Sequence, residues 1–293
     1  MNSISKFSLI LPIYNEEKII EKSIDQILKL QSDNNYLFEI IIVNDGSSDT
    51  THEILKKFKQ NDNLKIIDHS KNYGYGRALK TAISKSTYDN IFITDIDGTY
   101  PNDRIVEFFF EFSSNNFDML VGSRSLMNSG IPLIRKPPKY LINKLANYLV
   151  QYKIPDLNSG FRIFKKTLYK KYQNLLPDGF SFTSTITLAF LSEFKKVEYK
   201  SINYEKRVGK SKIHPIKDTF NFVILILRVI IYFNPLRIFI PLSLATFLIG
   251  IILLIYRIME GGQFLATTII LLFFSMNFLF IGLLAELINK RKR

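Results

Sequence analysis

The chain has 293 residues, of which 47% are hydrophobic, so it can bury a sizeable core and is not disordered as a whole. It has no cysteine, which excludes disulfides and thiolate metal sites, and its three histidines, His52, His69 and His214, form no ligand motif. Lysine and arginine total 39 against 26 for aspartate and glutamate, and the net charge of +13 indicates a polyanionic partner: nucleic acid, anionic lipid or a phosphorylated substrate.

The spacing of apolar residues predicts strands and helices in turn along the first part of the chain. The predicted strands are 7–13, 38–43, 64–67, 91–94 and 118–121, and the predicted helices are 17–30, about 50–58 and 77–84. Strands that alternate with helices predict a parallel sheet with right-handed crossovers. The loops that follow the strands then emerge at one edge, where ligands bind in open α/β sheets. We therefore expect several loops to meet in one crevice.

Two carboxylates, Asp95 and Asp97, directly follow one of these strands, and Gly98 and Pro101 end it. Nearby carboxylates repel each other unless a cation lies between them. Mg²⁺ and Mn²⁺ take oxygen ligands, and such ions commonly bridge one or two carboxylates to substrate phosphates. The residues alone leave two interpretations open, a cation site and a polar turn after a core strand.

The middle of the chain is rich in loops and basic residues. Three prolines interrupt residues 131–138, which therefore form a loop. Residues 140–150 have helical spacing, and this amphipathic helix either lies on a membrane surface or packs on the domain. A polar turn at 156–162 opens a strand, and a basic helix follows around 165–172. Loop 204–212 contains four cations, and on its own such a cluster is usually solvated.

The C-terminal part of the chain differs from the rest. Residues 238–256 and 264–284 are almost entirely apolar, and each run is close to the roughly 20 residues needed to span a bilayer. Arg228 and Arg237 precede the first run, and residues 290–293, after the second, are all basic. The positive-inside rule therefore predicts a membrane hairpin with both ends in the cytoplasm. The alternative is a pair of buried helices in a soluble protein.

Six motifs follow one another along the first 212 residues. They are Pro12-Ile-Tyr-Asn-Glu16, Val43-Asn-Asp-Gly-Ser-Ser-Asp49, Asn72-Tyr-Gly-Tyr-Gly-Arg-Ala78, Asp95-Ile-Asp97, Gly122-Ser-Arg124 and Ser159-Gly-Phe-Arg162. Together they resemble a family 2 glycosyltransferase of the GT-A fold. They are similar to the polyprenyl-phosphate sugar synthases, which include dolichol-phosphate mannose synthase and the bacterial undecaprenyl-phosphate glucosyltransferases. The hairpin matches the subgroup that carries one.

The resemblance implies a Rossmann-like α/β domain with a mostly parallel sheet, followed by interfacial amphipathic helices and a two-helix transmembrane hairpin. The implied regions are a GT-A glycosyltransferase domain at 1–212 (with an acceptor loop and amphipathic helix at 131–150), an interfacial helix at 213–234, and a hairpin at 235–293 with spans at about 238–257 and 264–285.

The resemblance assigns the donor nucleotide to residues of four motifs: Pro12, Tyr14, Glu16, Asp45, Gly74, Asp95 and Ile96. For Asp45, an Asx-type turn before Gly46 is an alternative. Asp95 and Asp97 are implied to hold Mg²⁺ or Mn²⁺ on the donor diphosphate, where a metal offsets charge on the leaving group. Some relatives have a glutamine two places after the second aspartate. This chain has Thr99 there, so a third protein ligand stays open.

Basic residues of the family bind the acceptor phosphate or the donor diphosphate, and guanidinium is well shaped for phosphate oxygens. The matching residues are Arg124, Arg135, Arg207 and Lys212, and the implied catalytic residues are Asp97, Asp156 and Arg207. Asp156 lies where family members often place a base. A lipid monophosphate has a second pKa of about 6 and is largely a dianion at cytoplasmic pH, so its oxygen can attack without a base. Asp156 is therefore either a base or a positioning residue.

The implied activity is the inverting transfer of a hexose, such as mannose or glucose, from a GDP- or UDP-sugar to a polyprenyl phosphate. The implied partners are this donor, this lipid and the membrane, and nucleic acid is not expected. Relatives form oligomers, so a homo-oligomer stays open. Three alternatives stay open: another lipid, glycan or protein acceptor, a non-catalytic nucleotide-sugar-binding membrane protein, and a nucleic-acid-binding membrane protein supported only by the charge. Two spans are too few for the channel of a processive synthase.

Overall fold

The computed structural model describes residues 6–35, 37–124, 144, 146–148, 150–179, 181–205, 215–260 and 266–292. The chain divides into two compact units, Met1–Phe222 and Val223–Arg293. The predicted loop 131–138, most of the predicted helix 140–150 and the basic residues of loop 204–212 lie outside the described residues.

Within the described residues, the first unit contains a seven-stranded sheet. Its strands are β1 (Phe7–Ile13), β2 (Phe38–Asn44), β3 (Leu64–Asp68), β4 (Asn90–Ile93), β5 (Met119–Arg124), β6 (Arg162–Lys165) and β7 (Val197–Ile202). Their spatial order is β3-β2-β1-β4-β6-β5-β7. Only β6 runs antiparallel to its neighbours, so the predicted mostly parallel α/β sheet is confirmed.

Helices cover this sheet and enclose an aromatic core. They are α1 (Ile20–Asp33), α2 (Thr51–Lys57), α3 (Tyr75–Lys85), α4 (Ile105–Ser114), α5 (Lys166–Tyr172) and α6 (Phe182–Ser192). The ring of Phe7 in β1 stacks on Phe38, with 4.8 Å between centroids, and lies 4.6 Å from Phe109 of α4. Burial of each such side chain stabilises the fold by roughly 1.5–3 kcal/mol.

The antiparallel strand β6 brings a turn to the ligand edge of the sheet. Arg162, its first residue, is in register with Ile93, the last residue of β4, and with Val121 of β5. The turn that precedes β6 therefore lies at the same edge as the loops that follow β1, β2 and β4. This edge is the place where open α/β sheets bind their ligands.

The second unit contains two long apolar helices, α8 (Leu236–Met259) and α9 (Ala266–Lys292). They follow α7 (Pro215–Phe233), which crosses the boundary between the units. Both α8 and α9 are long and apolar enough to cross a membrane, with mean hydropathies of 2.8 and 2.3. Only 11% and 17% of their most apolar windows are buried, which argues against two core helices of a soluble protein.

Small residues bring the two helices of the hairpin into close contact. The hydroxyl of Ser243 donates a hydrogen bond to the carbonyl oxygen of Ser275 across the pair, at 2.8 Å. A Cβ atom at Gly282 would lie 2.7 Å from the Cβ of Phe239, so glycine is needed there for the helices to approach. Small residues at helix contacts are typical of membrane-spanning helices, which gain their association from close packing.

Candidate active site

The first two motifs are joined by hydrogen bonds between the loops after β1 and β2. Asn15 is in the left-handed region, with φ 57°, and its backbone N–H donates to the Ser47 hydroxyl at 3.0 Å. Its side-chain oxygen accepts a hydrogen bond from the Ser48 backbone at 2.8 Å. The carboxylate of Glu17 accepts from both the N–H and the hydroxyl of Thr50. The two loops therefore form one unit beside the sheet edge, with Pro12, Tyr14 and Glu16 half-buried in it.

Asp45 connects this unit to the third motif. Its buried carboxylate accepts hydrogen bonds from the backbone N–H groups of Tyr73, at 3.0 Å, and Gly74, at 2.8 Å. Gly74 has φ 102°, a conformation that favours glycine. Nδ1 of His69 lies 2.7 Å from Oδ1 of Asp45, and its Nε2 lies 3.0 Å from the Thr81 hydroxyl. His69 has no local sequence signal, because its partners Asp45 and Thr81 come from other segments of the chain.

The Asx-type turn before Gly46 is made by Asn44, not by Asp45. The side-chain oxygen of Asn44 accepts a hydrogen bond from the Ser47 backbone at 3.1 Å. The carboxylate of Asp45 faces the loop 72–74 instead. The alternative role predicted for Asp45 is therefore filled by its neighbour.

Asp95 lies among two buried phenols and a glycine. Burial, and then the Asp95 carboxylate, raise the pKa of Tyr75 well above its ordinary value, and the same two causes raise the pKa of Tyr100. The Tyr100 hydroxyl accepts a hydrogen bond from the backbone of Gly160 at 2.7 Å. A Cβ atom at Gly160 would lie 3.1 Å from Oδ2 of Asp95. Tyr75 follows Gly74 directly, so the loop 72–75 reaches from Asp45 to Asp95.

Thr99 fixes the second carboxylate of the pair. Its backbone N–H and its hydroxyl both donate to Oδ1 of Asp97, at 3.1 and 2.6 Å. Thr99 is buried, and its carbonyl oxygen accepts a hydrogen bond from the backbone of Glu205 at 3.0 Å. The hydroxyl that stands in place of a glutamine thus orients Asp97, and the Thr99 carbonyl connects the same segment to the start of loop 204–212.

The donor set of Asp95 and Asp97 fits a metal that is completed by substrate. Across the part of the chain that the structure describes, no cluster of three or more His, Cys, Asp or Glu side chains could hold an ion. Mg²⁺ and ions of similar hardness keep several waters and are bound through one or two carboxylates plus substrate phosphates. The two carboxylates at the ligand edge match a metal site that substrate phosphates complete. They do not match a site in which protein side chains supply all the ligands.

Arg124 and Asp156 form a bidentate ion pair at the same edge. Nε and Nη2 of Arg124 lie 2.7 and 2.8 Å from the two carboxylate oxygens, and the Arg124 backbone donates to Oδ2 at 3.2 Å. Burial opposes ionisation, but the pair outweighs it, so the pKa of Asp156 is lowered and that of Arg124 is raised. The guanidinium also lies over the ring of Tyr204, at 5.3 Å from its centroid.

The structure thus brings most of the predicted site residues to one edge of the sheet. Asp45 and Gly74 are in direct contact, Tyr75 connects them to Asp95, and Tyr100 lies between Asp95 and the segment that carries Asp156. Ile96 is buried, and its carbonyl oxygen accepts a hydrogen bond from Ser23 of α1 at 3.1 Å. The predictions for Arg135, Arg207 and Lys212 lie outside the described residues.

The sequence and fold are similar to those of known glycosyltransferases. Residues 8–173 match Glycosyl transferase family 2, and residues 234–290 match the GtrB C-terminal hairpin. Dodecaprenyl-phosphate galacturonate synthase of Rhizobium johnstonii is 24% identical over 302 residues, which covers 97% of this chain and 88% of the relative. An uncharacterized glycosyltransferase of Bacillus subtilis, YkcC, is 23% identical over 72% of this chain and 64% of its own length.

A solved structure shares the fold at lower sequence identity. Glucosyl-3-phosphoglycerate synthase from Mycobacterium tuberculosis, in complex with Mn²⁺, UDP-glucose and phosphoglyceric acid, superposes with a TM-score of 0.58 at 16% identity. The match covers 77% of this chain and 80% of that one. At this identity the likeness shows the fold alone.

The mostly parallel sheet, with carboxylates in the loop after β4 and a turn from β6 at the same edge, defines a GT-A-type glycosyltransferase domain. The family match covers more than half of the sequence, so the chain belongs to glycosyl transferase family 2. Its C-terminal part matches the GtrB C-terminal hairpin, and its relative of nearly full length is named as a polyprenyl-phosphate sugar synthase. The predicted family and fold are confirmed.

Proposed function

We propose that the chain is a membrane-bound, inverting glycosyltransferase that moves a sugar from a UDP-sugar to a polyprenyl phosphate. One observation carries this proposal: the Asp95 and Asp97 carboxylates at the ligand edge occur in the same chain as a GtrB-type hairpin. The name of the Rhizobium relative, a dodecaprenyl-phosphate galacturonate synthase, supports a polyprenyl phosphate as the acceptor.

The proposed donor is a UDP-sugar rather than a GDP-sugar. The M. tuberculosis enzyme was crystallised with UDP-glucose. The S. aureus protein TarS was crystallised with UDP-GlcNAc. It superposes with a TM-score of 0.54 at 23% identity, and the match covers 77% of this chain and 66% of TarS. Glucose is the proposed sugar, and mannose, the other hexose that the resemblance implies, is tested as GDP-mannose. Galacturonate, named for the Rhizobium relative, is the main competitor, so the donor screen below includes it.

Asp95 and Asp97 are the proposed holders of a divalent metal, Mg²⁺ or Mn²⁺. When bound, the ion would offset negative charge on the departing nucleoside diphosphate, which is a Lewis-acid role. The Mn²⁺ in the M. tuberculosis complex supports this assignment. Thr99 contributes by fixing the orientation of the Asp97 carboxylate through two hydrogen bonds.

The proposed reaction is an in-line displacement. An oxygen of the lipid phosphate attacks the anomeric carbon, its bond to that carbon forms as the bond to the diphosphate oxygen breaks, and the configuration inverts. The phosphate is a dianion above its second pKa of about 6, so its oxygen needs no base. Arg124 would bind phosphate oxygens, with Asp156 holding the guanidinium in place. Catalysis then rests on positioning and on screening the repulsion between two anionic reactants.

The hairpin would anchor this site at the membrane surface. We propose that α8 and α9 span the bilayer and that both termini are cytoplasmic, since Arg228, Arg237 and residues 290–293 lie at the outer ends of the spans. The chain would then be held at the membrane that contains its lipid acceptor.

A donor screen tests the proposed function. The purified full chain is incubated in lipid nanodiscs with a polyprenyl phosphate, Mn²⁺ and either UDP-glucose, UDP-galacturonate, UDP-GlcNAc or GDP-mannose, and the lipid extract is analysed by mass spectrometry. One UDP-sugar should give a glycosylated polyprenyl phosphate. A sugar that appears only on another lipid of the nanodisc would contradict the proposed acceptor, and a product from GDP-mannose alone would contradict the proposed donor.

A methyl group at Gly160 should disturb the site without unfolding the domain. In Gly160→Ala, the new Cβ would lie 3.1 Å from Oδ2 of Asp95, so the carboxylate has to shift, and it would touch the Tyr100 ring at 3.4 Å. Misplacement on this scale should lower kcat by about tenfold or more. Gly179→Ala is the matched control, because a Cβ there meets no atom within 4 Å. Equal activity of the two variants would show that Gly160 does not constrain the site.

A further inference from the structure

Arg162 is a fully buried arginine whose hydrogen-bond partners among the described residues are neutral. Its side chain is 0% exposed, and its Nε lies 2.9 Å from the carbonyl oxygen of Ser159, which also accepts from Nη2. Nη1 donates to the carbonyl oxygen of Thr183, at 2.8 Å, and to the hydroxyl of Thr187, at 2.6 Å. Among the ion pairs of the described segments, none includes Arg162.

A buried charge of this kind is costly. Ionised groups lose their hydration on burial, and buried charges are normally paired with an opposite charge. Burial accordingly lowers the pKa of Arg162. A neutral glutamine could donate to the Ser159 carbonyl without this penalty, but it could not also serve the Thr183 carbonyl and the Thr187 hydroxyl.

The guanidinium lies beside the turn that contacts both parts of the site. Ser159 directly precedes Gly160, whose backbone bonds to Tyr100 and approaches Asp95. Three residues earlier the same turn carries Asp156, the partner of Arg124. From the other side, Arg162 bonds to α6, so it connects this turn to a helix whose residues are all buried.

The described loops around this turn carry several carboxylates. Three carboxylates, those of Asp95, Asp97 and Asp156, lie in the loops there, and Arg124 is committed to one of them. A nucleotide-sugar donor would add a diphosphate. A fixed positive charge in a low-dielectric position interacts with such anions more strongly than a solvated one.

We propose that Arg162 is a positioning residue that holds the 156–160 turn against Asp95 and supplies fixed positive charge to the nucleoside-diphosphate subsite. This inference rests on the proposed function, since it assigns the charge to the donor of that reaction. Arg162 would contribute in two ways, through the geometry of its hydrogen bonds and through its charge. The fork of Nε and Nη2 on Ser159 sets the geometry of the turn, and the charge itself favours the anionic donor.

Two variants separate these contributions. Arg162→Gln removes the charge but keeps a donor for Ser159, and it should weaken the binding of UDP with Mn²⁺, measured by titration calorimetry, by about tenfold. Arg162→Lys keeps the charge but loses the fork. It should bind UDP within about threefold of the wild-type affinity while its kcat falls about tenfold.

A distant buried hydrogen bond provides the control. Gln31 of α1 is also buried, and its Nε2 donates to the carbonyl oxygen of Phe38, at the start of β2 and away from the ligand edge. Gln31→Leu should lower the melting temperature and leave UDP affinity and kcat unchanged. A purely structural role would make Arg162→Gln behave in the same way and would overturn the proposal.

The lysine variant keeps the proposal testable if Arg162→Gln does not fold. Wild-type kcat in Arg162→Lys would contradict the role of the fork, and a loss of UDP affinity beyond tenfold would contradict the role of the charge. Failure of the proposed function is distinguishable, because it would appear as absence of a lipid product with the wild-type chain, whereas the affinity series needs no acceptor.

Discussion

Asp97→Asn is expected to lower kcat for formation of the lipid-linked sugar by at least about a hundredfold, because the proposed metal loses a charged ligand. The same variant should bind UDP alone nearly as well as the wild type and lose the Mn²⁺-dependent part of the affinity. Activity with labelled UDP-sugar and calorimetry with and without Mn²⁺ measure the two quantities. A chelator should remove the activity of the wild type, and added Mg²⁺ or Mn²⁺ should restore it.

Substitutions at two nearby positions, Thr99 and Asp103, show whether the effect of Asp97→Asn is specific to the proposed metal ligand. Thr99→Val keeps the shape of the side chain and removes the hydroxyl that lies 2.6 Å from Oδ1 of Asp97. We expect an intermediate loss of about tenfold, with a higher Mn²⁺ concentration needed for half-maximal rate. Asp103→Asn removes an exposed carboxylate a few residues away and should have no effect. Full activity of Asp97→Asn in the presence of chelator would refute the metal assignment.

The strands were predictable because each carries a local signal. The run of β-branched residues in β2, buried on both faces of the sheet, identifies a central parallel strand from its composition alone. The first predicted strand coincides with β1, Phe7–Ile13. The first helix was predicted to begin at residue 17, but it begins at Ile20, because Asn15 is left-handed and Glu16 accepts a turn hydrogen bond from Ile19.

Helix α6 could not be predicted from periodicity. All of its residues are buried, so its sequence shows no polar face, and its serine and threonine content disfavours a helix in isolation. Tertiary contacts override that propensity, including the hydrogen bonds from Arg162 to Thr183 and Thr187. Strand β7 does alternate apolar and polar residues, as in Val197-Glu-Tyr-Lys-Ser-Ile202, and that signal would have identified it.

Some residues of the candidate site could be predicted from local sequence, and others could not. Motifs at strand ends located Asp45, Asp95 and Asp97, because a strand end is a local feature. Pairings across the sheet, such as Arg124 with Asp156, depend on how the chain crosses over, and the sequence does not encode them locally. The antiparallel entry of β6 brings that turn to the ligand edge.

The Arg124 and Asp156 pair gives the second large expected effect. Asp156→Asn and Arg124→Gln should each lower the rate at subsaturating acceptor by about tenfold to a hundredfold, because each removes the bidentate geometry that orients the guanidinium. The double variant should be no slower than the slower single variant, since residues that act as a unit are not additive. Initial rates against polyprenyl phosphate concentration measure this cycle.

A general base would behave differently. If Asp156 removed a proton, Asp156→Asn would cost far more than Arg124→Gln, and the two losses would add. Thermal melts supply an independent comparison, because loss of either partner leaves the other charge largely buried, at a cost of roughly 1–3 kcal/mol in the free energy of unfolding. A larger, additive effect of Asp156→Asn on kcat, without a matching change in acceptor KM, would contradict the positioning role.

The pH dependence distinguishes the same two roles. The pKa of Asp156 is lowered in the folded protein, so its contribution to stability is complete above the ordinary aspartate pKa of about 3.9 and is lost as pH falls through the lowered folded value. The difference in melting temperature between the wild type and Asp156→Asn should therefore be constant above about pH 5 and shrink below about pH 4. The rate should still fall below about pH 6, as the lipid phosphate gains its second proton. Because that proton belongs to the acceptor, the acidic limb should persist in Asp156→Asn, and its disappearance in that variant would restore Asp156 as the titrating base.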